Sequence, residues 1–354
     1  MLNIPYRTQR TLRRVGIVLM ILLVVGTIAW LCWVIWLQRY VVYTDQEDGG
    51  ARLDFSQSAN DVVGEVAVPP VAEAKVSIFY NEGANAIDTS NDLKQLSGYY
   101  ITQQMVKDDI NNVLLQVERL SSGTPVMIEM KGGYGSFFYN TQLAGATISQ
   151  STDITAYESL VQKLKDKGFY TIAQISAFRD REFGNKNVAA GLYMPSRIGL
   201  WMDEGGCYWL DPTKSAATNW ISSVVLELRS MGFNEVLLSD FCFPNSDQYI
   251  FEGDKAAALK TAADTLISSC SADNFVLSFG VTDVTFPLPD GRCRMYVSGV
   301  EPGSIKQTVS NITFDDPEIR LVFLAESGDT RYDDYSVLRS LNVAEEVEAR
   351  KGNS

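Results

Sequence analysis

Two periods of apolar residues alternate along most of the chain. Runs of strand length at residues 99–105, 125–130, 169–175, 236–241, 275–279, 294–298 and 319–325 are separated by stretches with apolar residues three and four apart. The helical stretches are 109–120, carried by Ile110, Val113, Leu114 and Val117, then 157–167, about 217–231, 255–269 and a short one at 304–310. Gly168 and Gly232 follow two of them, where a residue with left-handed backbone ends many helices. Seven strands with intervening helices over about 230 residues predict an α/β fold of β/α-barrel size. A doubly wound open sheet has the same local pattern. The first strand is not followed by a glycine-rich phosphate fingerprint, which weighs against the nucleotide-binding form of that sheet. The pattern leaves an eighth strand unassigned; residues 76–80, the irregular segment before Pro212, or residues after 326 are its candidates.

The stretch GFNEVLLSDFCFP, residues 232–244, concentrates the fold logic. A helix stop is followed by an apolar run too short for a helix, and Asp240 arrives as the run ends. Pro244 cannot continue a central strand, so Asp240 is expected at the strand's carboxyl end. Ligands bind at that end of parallel sheets and barrels. A loop-capping Asp is the plainer reading of the same residue.

Before the alternation, residues 15–37 form an apolar run of 23 without a charge. As a helix rising ~1.5 Å per residue it would measure roughly 34 Å, enough to cross a bilayer. Arg7, Arg10, Arg13 and Arg14 precede it, and Trp30, Trp33 and Trp36 lie near its far end. The positive-inside rule then keeps residues 1–14 cytoplasmic and sends the remainder out of the cytoplasm, anchored in the cell membrane by a single span. A cleaved signal peptide would have an apolar region of about 7–15 residues and a small-residue cleavage site, and neither is present. Residues 38–75 are acidic and broken by Gly49, Gly50, Pro69 and Pro70, as a linker is. Residues 76–96 read as a strand and loop extension, 97–340 as the barrel, and 341–354 as a charged tail that frays.

Charge and rare residues narrow the chemistry. Five of the 30 basic side chains fall in the first 40 residues, leaving 25 against 43 acids in the rest, a poor surface for nucleic acid. Histidine is absent, which removes Ser-His and Cys-His nucleophile pairs and all histidine-ligated metal sites. Cys207, Cys242, Cys270 and Cys293 follow the apolar run; they allow three disulfide pairings or four buried thiols, and their spacing fits no zinc site. No metal or cofactor is called for.

Strand ends supply the candidate acids: Glu129, Asp180, Asp240, Asp283, Glu301 and Glu326. Tyr134, Phe137, Phe138, Tyr139, Trp201, Tyr208 and Trp209 lie nearby in sequence. Acids beside aromatic rings suit sugars, since rings stack on pyranose faces while carboxylates bind hydroxyls. Glycoside hydrolysis needs two carboxyl groups, ~5–5.5 Å apart for retention or ~6.5–9.5 Å for inversion, and no histidine. The same acids also cap helices and pair with cations, and the same rings also pack.

Four segments, MIEMKGGYGSFFY (127–139), AQISAFRD (173–180), WLDP (209–212) and GFNEVLLSDFCFP (232–244), occur in order. Together they resemble a bacterial domain family of the glycoside hydrolase type over about residues 97–326. The resemblance implies a β/α barrel and favours the barrel over the open sheet. Its pattern matches at Glu129, Lys131, Asp180 and Trp209 to Pro212, and departs at Gln174, where the family has arginine, and at Gly132 and Gly133, where it has acids. In the central motif Ser239 takes the place of the family's Asp and Cys242 that of its Arg, and Asp240 falls one position later. Because strand side chains alternate, a regular strand would turn Asp240 away from the family's acid position, and a bulge would return it.

The expectation is a membrane-anchored barrel that hydrolyses or recognises cell-surface, cell-wall or environmental carbohydrate. Asp240 and Glu129 form the expected carboxyl pair, with Asp180 or Glu326 as substitute, and Lys131, Tyr134, Gln174, Trp209, Asp283 and Glu301 are expected to contact substrate. The alternatives are a sugar-binding protein without turnover, and a structural platform for another envelope protein.

Overall fold

A computed structural model describes Met20, residues 23–27, Trp30, 41–43, 51–53 and 93–351. The chain divides into two units, Met1–Asn81 and Glu82–Ser354. In the first, Val41–Tyr43 and Ala51–Leu53 pair antiparallel, with Val41 opposite Leu53. Of the apolar run 15–37, only Met20, 23–27 and Trp30 are described, and all are helical. The remainder of that run, most of the linker and the strand expected at 76–80 lie outside the described residues. Among the described residues no helix is long and apolar enough to cross a membrane.

The second unit is a closed barrel of eight parallel strands. They are β1 (Ser97–Ile101), β2 (Pro125–Lys131), β3 (Tyr170–Ser176), β4 (Glu235–Ser239), β5 (Val276–Gly280), β6 (Met295–Ser298), β7 (Leu321–Ala325) and β8 (Ser336–Ser340). Each pairs in parallel with the next, and β8 pairs with β1, which closes the ring. Closure decides between the two architectures that the apolar pattern allowed. The eighth strand lies after residue 326. It was hidden because SVLRS is mostly polar, yet all five residues are buried, with Arg339 held by the Asp333 carboxylate at 2.7 Å and the Asp329 carbonyl at 2.9 Å.

Helices α1 (Gln103–Arg119), α2 (Ile154–Asp166), α3 (Arg181–Lys186), α4 (Ser215–Ser230), α5 (Lys255–Cys270), α6 (Ile305–Ser310), α7 (Pro317–Arg320) and α8 (Ala344–Lys351) connect the strands or follow the last. Side chains set where several begin: Thr102, Asp153 and Asp254 each accept a hydrogen bond from the first turn of α1, α2 and α5. Gly232, at φ 90°, ends α4 and turns the chain into β4, a conformation open to glycine without steric cost. α8 replaces the expected fraying tail. Ala344 and Val347 are buried and Tyr99 donates to Glu348 at 2.7 Å, so the apolar residues among the charges carry the docking. Cys207, Cys242, Cys270 and Cys293 are free thiols.

Alternation along the strands makes two cores. Residues such as Val126, Ile128, Ala173, Val236, Leu238 and Phe323 face the helices, whereas Met127, Ile172, Leu237, Tyr296, Val322 and Leu338 fill the barrel interior. Burying each large aliphatic side chain contributes about 1.5–3 kcal/mol. The interior layer is solid, and it leaves polar side chains only above and below it.

Candidate active site

Inward alternation from Met127, Ile172 and Leu237 places Glu129, Gln174 and Ser239 above the apolar layer, at the carboxyl end of the barrel. A cavity of about 450 Å³ opens there, lined among others by Tyr100, Gln174, Ser298, Glu301, Leu324 and Glu326. Its size suits a small ligand, for which ~300–1,000 Å³ is usual.

Glu129 is half-buried, and its Oε2 accepts the Gln103 backbone N–H at 3.0 Å, at the start of α1. Tyr157 donates to the Glu129 carbonyl and fixes the backbone beneath it. Burial raises the Glu129 carboxyl above its ordinary pKa; the Gln103 hydrogen bond opposes that rise and the charge of Asp240 adds to it. Glu129 and Asp240 therefore lie within electrostatic reach of each other, on β2 and at the end of β4, with β3 between them.

Asp240 has φ 51°, a left-handed conformation that ends the regular in-and-out alternation of β4. Its Oδ2 lies 2.6 Å from Ser176 Oγ, across the end of β3. Asp adopts this backbone more readily than most residues, and such outliers gather at functional sites. Ser239, one residue earlier, keeps the inward position and donates to the Ile175 carbonyl at 3.1 Å. Cys242 beyond it is pushed up to about 11, by burial first and then by the Asp240 charge.

Other expected residues form a buried frame under the mouth. Lys131 Nζ lies 2.9 Å from Asp180 Oδ2 and donates to the Ser176 carbonyl at 2.8 Å, and both charged side chains are buried. A register shift between Glu129 and Lys131 re-aims the lysine. Asp180 also caps α3 through the Phe183 N–H at 2.8 Å and accepts from Trp220 Nε1 at 3.1 Å. Trp209 is buried and donates to Asp203 at 2.9 Å. At the rim, Tyr134 exposes its ring beside the Arg181 guanidinium, 6.0 Å from the centroid. Asp283 is exposed and closes its own turn onto Thr285 at 2.7 and 2.9 Å. Glu326 is exposed beside Tyr100, whose hydroxyl is raised by burial and then by that carboxylate.

Three residues at the mouth escaped the sequence reading: Ser176, Arg179 and Asp203. Arg179 Nε donates to Asp203 at 2.6 Å, and Asp203 also accepts from the Cys207 N–H at 2.9 Å. Burial works to raise Asp203, but the bonds from Arg179, Cys207 and Trp209 hold it below its ordinary value. A Cβ at Gly133 would stand 2.7 Å from Arg179 Nη1, and one at Gly205 would stand 2.3 Å from Nη2. The glycine where the related pattern carries an acid thus makes room for a guanidinium. The length of the connection between β3 and α4 was the available signal, since long structured loops are often functional. Among the described residues, no group of three or more Cys, Asp or Glu is arranged to hold a metal ion.

Residues 98–271 match the family model described as "Putative glycosyl hydrolase domain". Over those residues the chain is similar to that family. The matched part of the glycosyl hydrolase domain holds β1–β4 with Glu129, Lys131, Gln174, Asp180 and Asp240; Glu301 and Glu326 lie beyond it. No curated protein matches the chain. Among solved structures, a hypothetical protein from Ruminiclostridium thermocellum is 17% identical, with 51% of this chain and 96% of that one covered and a TM-score of 0.44. An α-galactosidase from Lactobacillus brevis is 8% identical over 74% of this chain at a TM-score of 0.49, and the match spans 40% of that enzyme. An exo-β-N-acetylglucosaminidase from Vibrio harveyi is 9% identical over 66% of this chain and 42% of its own, at 0.44.

Proposed function

We propose that the carboxyl end of the barrel binds carbohydrate and hydrolyses a glycosidic bond, with Glu129 as general acid and Asp240 as its partner carboxylate. The observation that carries this reading is the Glu129–Asp240 pair itself: two half-buried acids within electrostatic reach, each accepting a single hydrogen bond among the described residues. Burial favours the protonated form of Glu129, the form that can donate to a leaving glycosidic oxygen. Asp240 then attacks the anomeric carbon or takes a proton from water, and the anomer released tells which. Gln174, Glu301 and Glu326 line the cavity and meet sugar hydroxyls, and the Tyr134 ring offers a stacking face at the rim. The family description supports the substrate class. The apolar run 15–37 behind four arginines supports attachment to a cell membrane, with the barrel outside the cytoplasm.

The test is release of reducing ends from a panel of oligosaccharides and polysaccharides. Hydrolysis should fall by at least about 10²-fold in both Glu129→Gln and Asp240→Asn, the usual scale for losing an acid or base, with melting temperature held. Full activity in either variant removes that residue from the role. Protease accessibility of the barrel in intact cells tests the topology: cleavage only after lysis contradicts it. A second reading, sugar binding without turnover, is favoured by Ser239 holding the inward position at the end of β4. Saturable binding with no hydrolysis by the wild type at high concentration selects it.

A further inference from the structure

Ser176 stands between two acceptors and has one proton to give. Its Oγ is 2.6 Å from Asp240 Oδ2 and 2.7 Å from the Arg179 carbonyl oxygen, and the residue is buried. A serine hydroxyl donates once and accepts through its lone pairs. With Asp240 ionised, the proton can serve either the carboxylate or the carbonyl, and the charged acceptor is the stronger. With Asp240 protonated, the carboxyl donates to Ser176 Oγ, and the serine proton turns to the Arg179 carbonyl. Both arrangements complete the bonding at Asp240 without moving a heavy atom.

We propose that Ser176 is a positioning residue whose hydroxyl rotates between Asp240 and the Arg179 carbonyl, matching whichever proton state Asp240 takes during turnover. The role rests on Asp240 being the partner carboxylate proposed above. A base or nucleophile changes charge within each catalytic cycle, and a hydroxyl that turns over with it keeps the carboxyl paired in both states. The surroundings hold the pivot still. Lys131 Nζ donates to the Ser176 carbonyl at 2.8 Å while paired with Asp180, and Arg179 is pinned by Asp203 at 2.6 Å. The groups with charge or titration facing this corner are Glu129 and Lys131 from β2, Arg179 and Asp180 from the end of β3, Asp203 and Cys207 from the long loop, and Cys242 after β4. Of these, Lys131 and Asp180 are locked to each other, as are Arg179 and Asp203, so Glu129 is the acid free to exchange protons beside Asp240.

Neutron crystal structures of the deuterated protein at acid and alkaline pH read the rotor directly and need no substrate. The Ser176 deuteron should point to Asp240 Oδ2 in a crystal whose map shows no deuteron on Asp240, and to the Arg179 oxygen in one whose map shows a deuteron there. A deuteron on the same acceptor in both crystals overturns the proposal. A substrate found in the hydrolysis screen supplies the kinetic arm. Ser176→Ala should lower kcat by about 10–100-fold, the scale of one hydrogen bond to a charged group, with KM within about twofold. Ser176→Thr, which keeps the hydroxyl, should restore most of it. Equal kcat in Ser176→Ala and wild type, with both folded by melting temperature, also overturns the role. A deuteron that moves in a protein that hydrolyses nothing would retain the rotor and reject hydrolysis, so the two claims fail separately.

Discussion

The two ends of the barrel interior hold the same ingredients in opposite states of completion. At the amino end, the Glu235 carboxylate is fully buried and accepts four hydrogen bonds, from Ser278 at 2.6 Å, Tyr296 at 2.8 Å, Tyr170 at 2.9 Å and Arg294 at 2.5 Å. At the carboxyl end, Glu129 and Asp240 each accept one among the described residues, and both are half-buried. A carboxylate with its four acceptor sites filled has no capacity left for a ligand. One with sites open does, and at that end Gln174, Glu301 and Glu326 line a cavity of about 450 Å³, with Glu129 and Asp240 outside its lining. An acid and an arginine at the end of a strand are therefore not evidence of a site; unused hydrogen-bonding capacity is.

The largest expected effect comes from breaking the completed end. Glu235→Ala should cost about 3–5 kcal/mol, because Arg294 is left buried and unpaired. For a domain of this size that is a fall of roughly 6–20 °C in melting temperature. A loss under about 1 kcal/mol would mean that the network adds nothing to the fold. Asp180→Ala should follow closely, near 3 kcal/mol, since it removes a buried ion-pair partner, the cap of α3 and the acceptor for Trp220 together. Loss of hydrolysis there with stability intact would move Asp180 from the frame into the reacting set.

A smaller effect sharpens the open end. The folded value of Glu129 is raised above 4.5, so the native state holds that proton more tightly than the unfolded chain does. The resulting stability is fully present below 4.5 and is lost as pH rises through the folded value. Glu129→Gln has no proton to lose, so chemical denaturation across acid to neutral pH should show wild type losing ground to the variant as pH rises. Parallel curves would contradict the burial of this carboxyl. The smallest effect is at the rim: Tyr134→Ala should leave melting temperature unchanged and raise KM by roughly threefold to tenfold, about 0.6–1.4 kcal/mol. An unchanged KM would take Tyr134 out of substrate contact.

The same contrast explains what the chain disclosed in one dimension. Strand and helix alternation was legible because seven strands are apolar runs bounded by glycine or polar turns. The eighth, Ser336–Ser340, was not, since its polar side chains are satisfied by partners distant in sequence, such as the Ile319 carbonyl that accepts from Ser336 at 2.9 Å. The strand-end rule found Glu129 and Asp240 and equally Asp180 and Asp283, because sequence shows where an acid falls and not how many donors reach it. The slip of Asp240 by one position could be read, but its left-handed backbone could not, for that depends on how β4 leaves the barrel. Ser176 and Arg179 lie inside the AQISAFRD segment, yet nothing there singles them out; they matter through distances of 2.6–2.7 Å to groups that folding brings together.

The claim that Glu129 and Asp240 form one electrostatic unit is tested most directly by a carbon-13 NMR titration of the Glu129 carboxyl in wild type and in Asp240→Asn. Glu129 should titrate above the ordinary glutamate value in the wild type and move down when the neighbouring charge is removed. An unchanged Glu129 titration in the variant would contradict it, and the two acids would then be separate features of the barrel mouth.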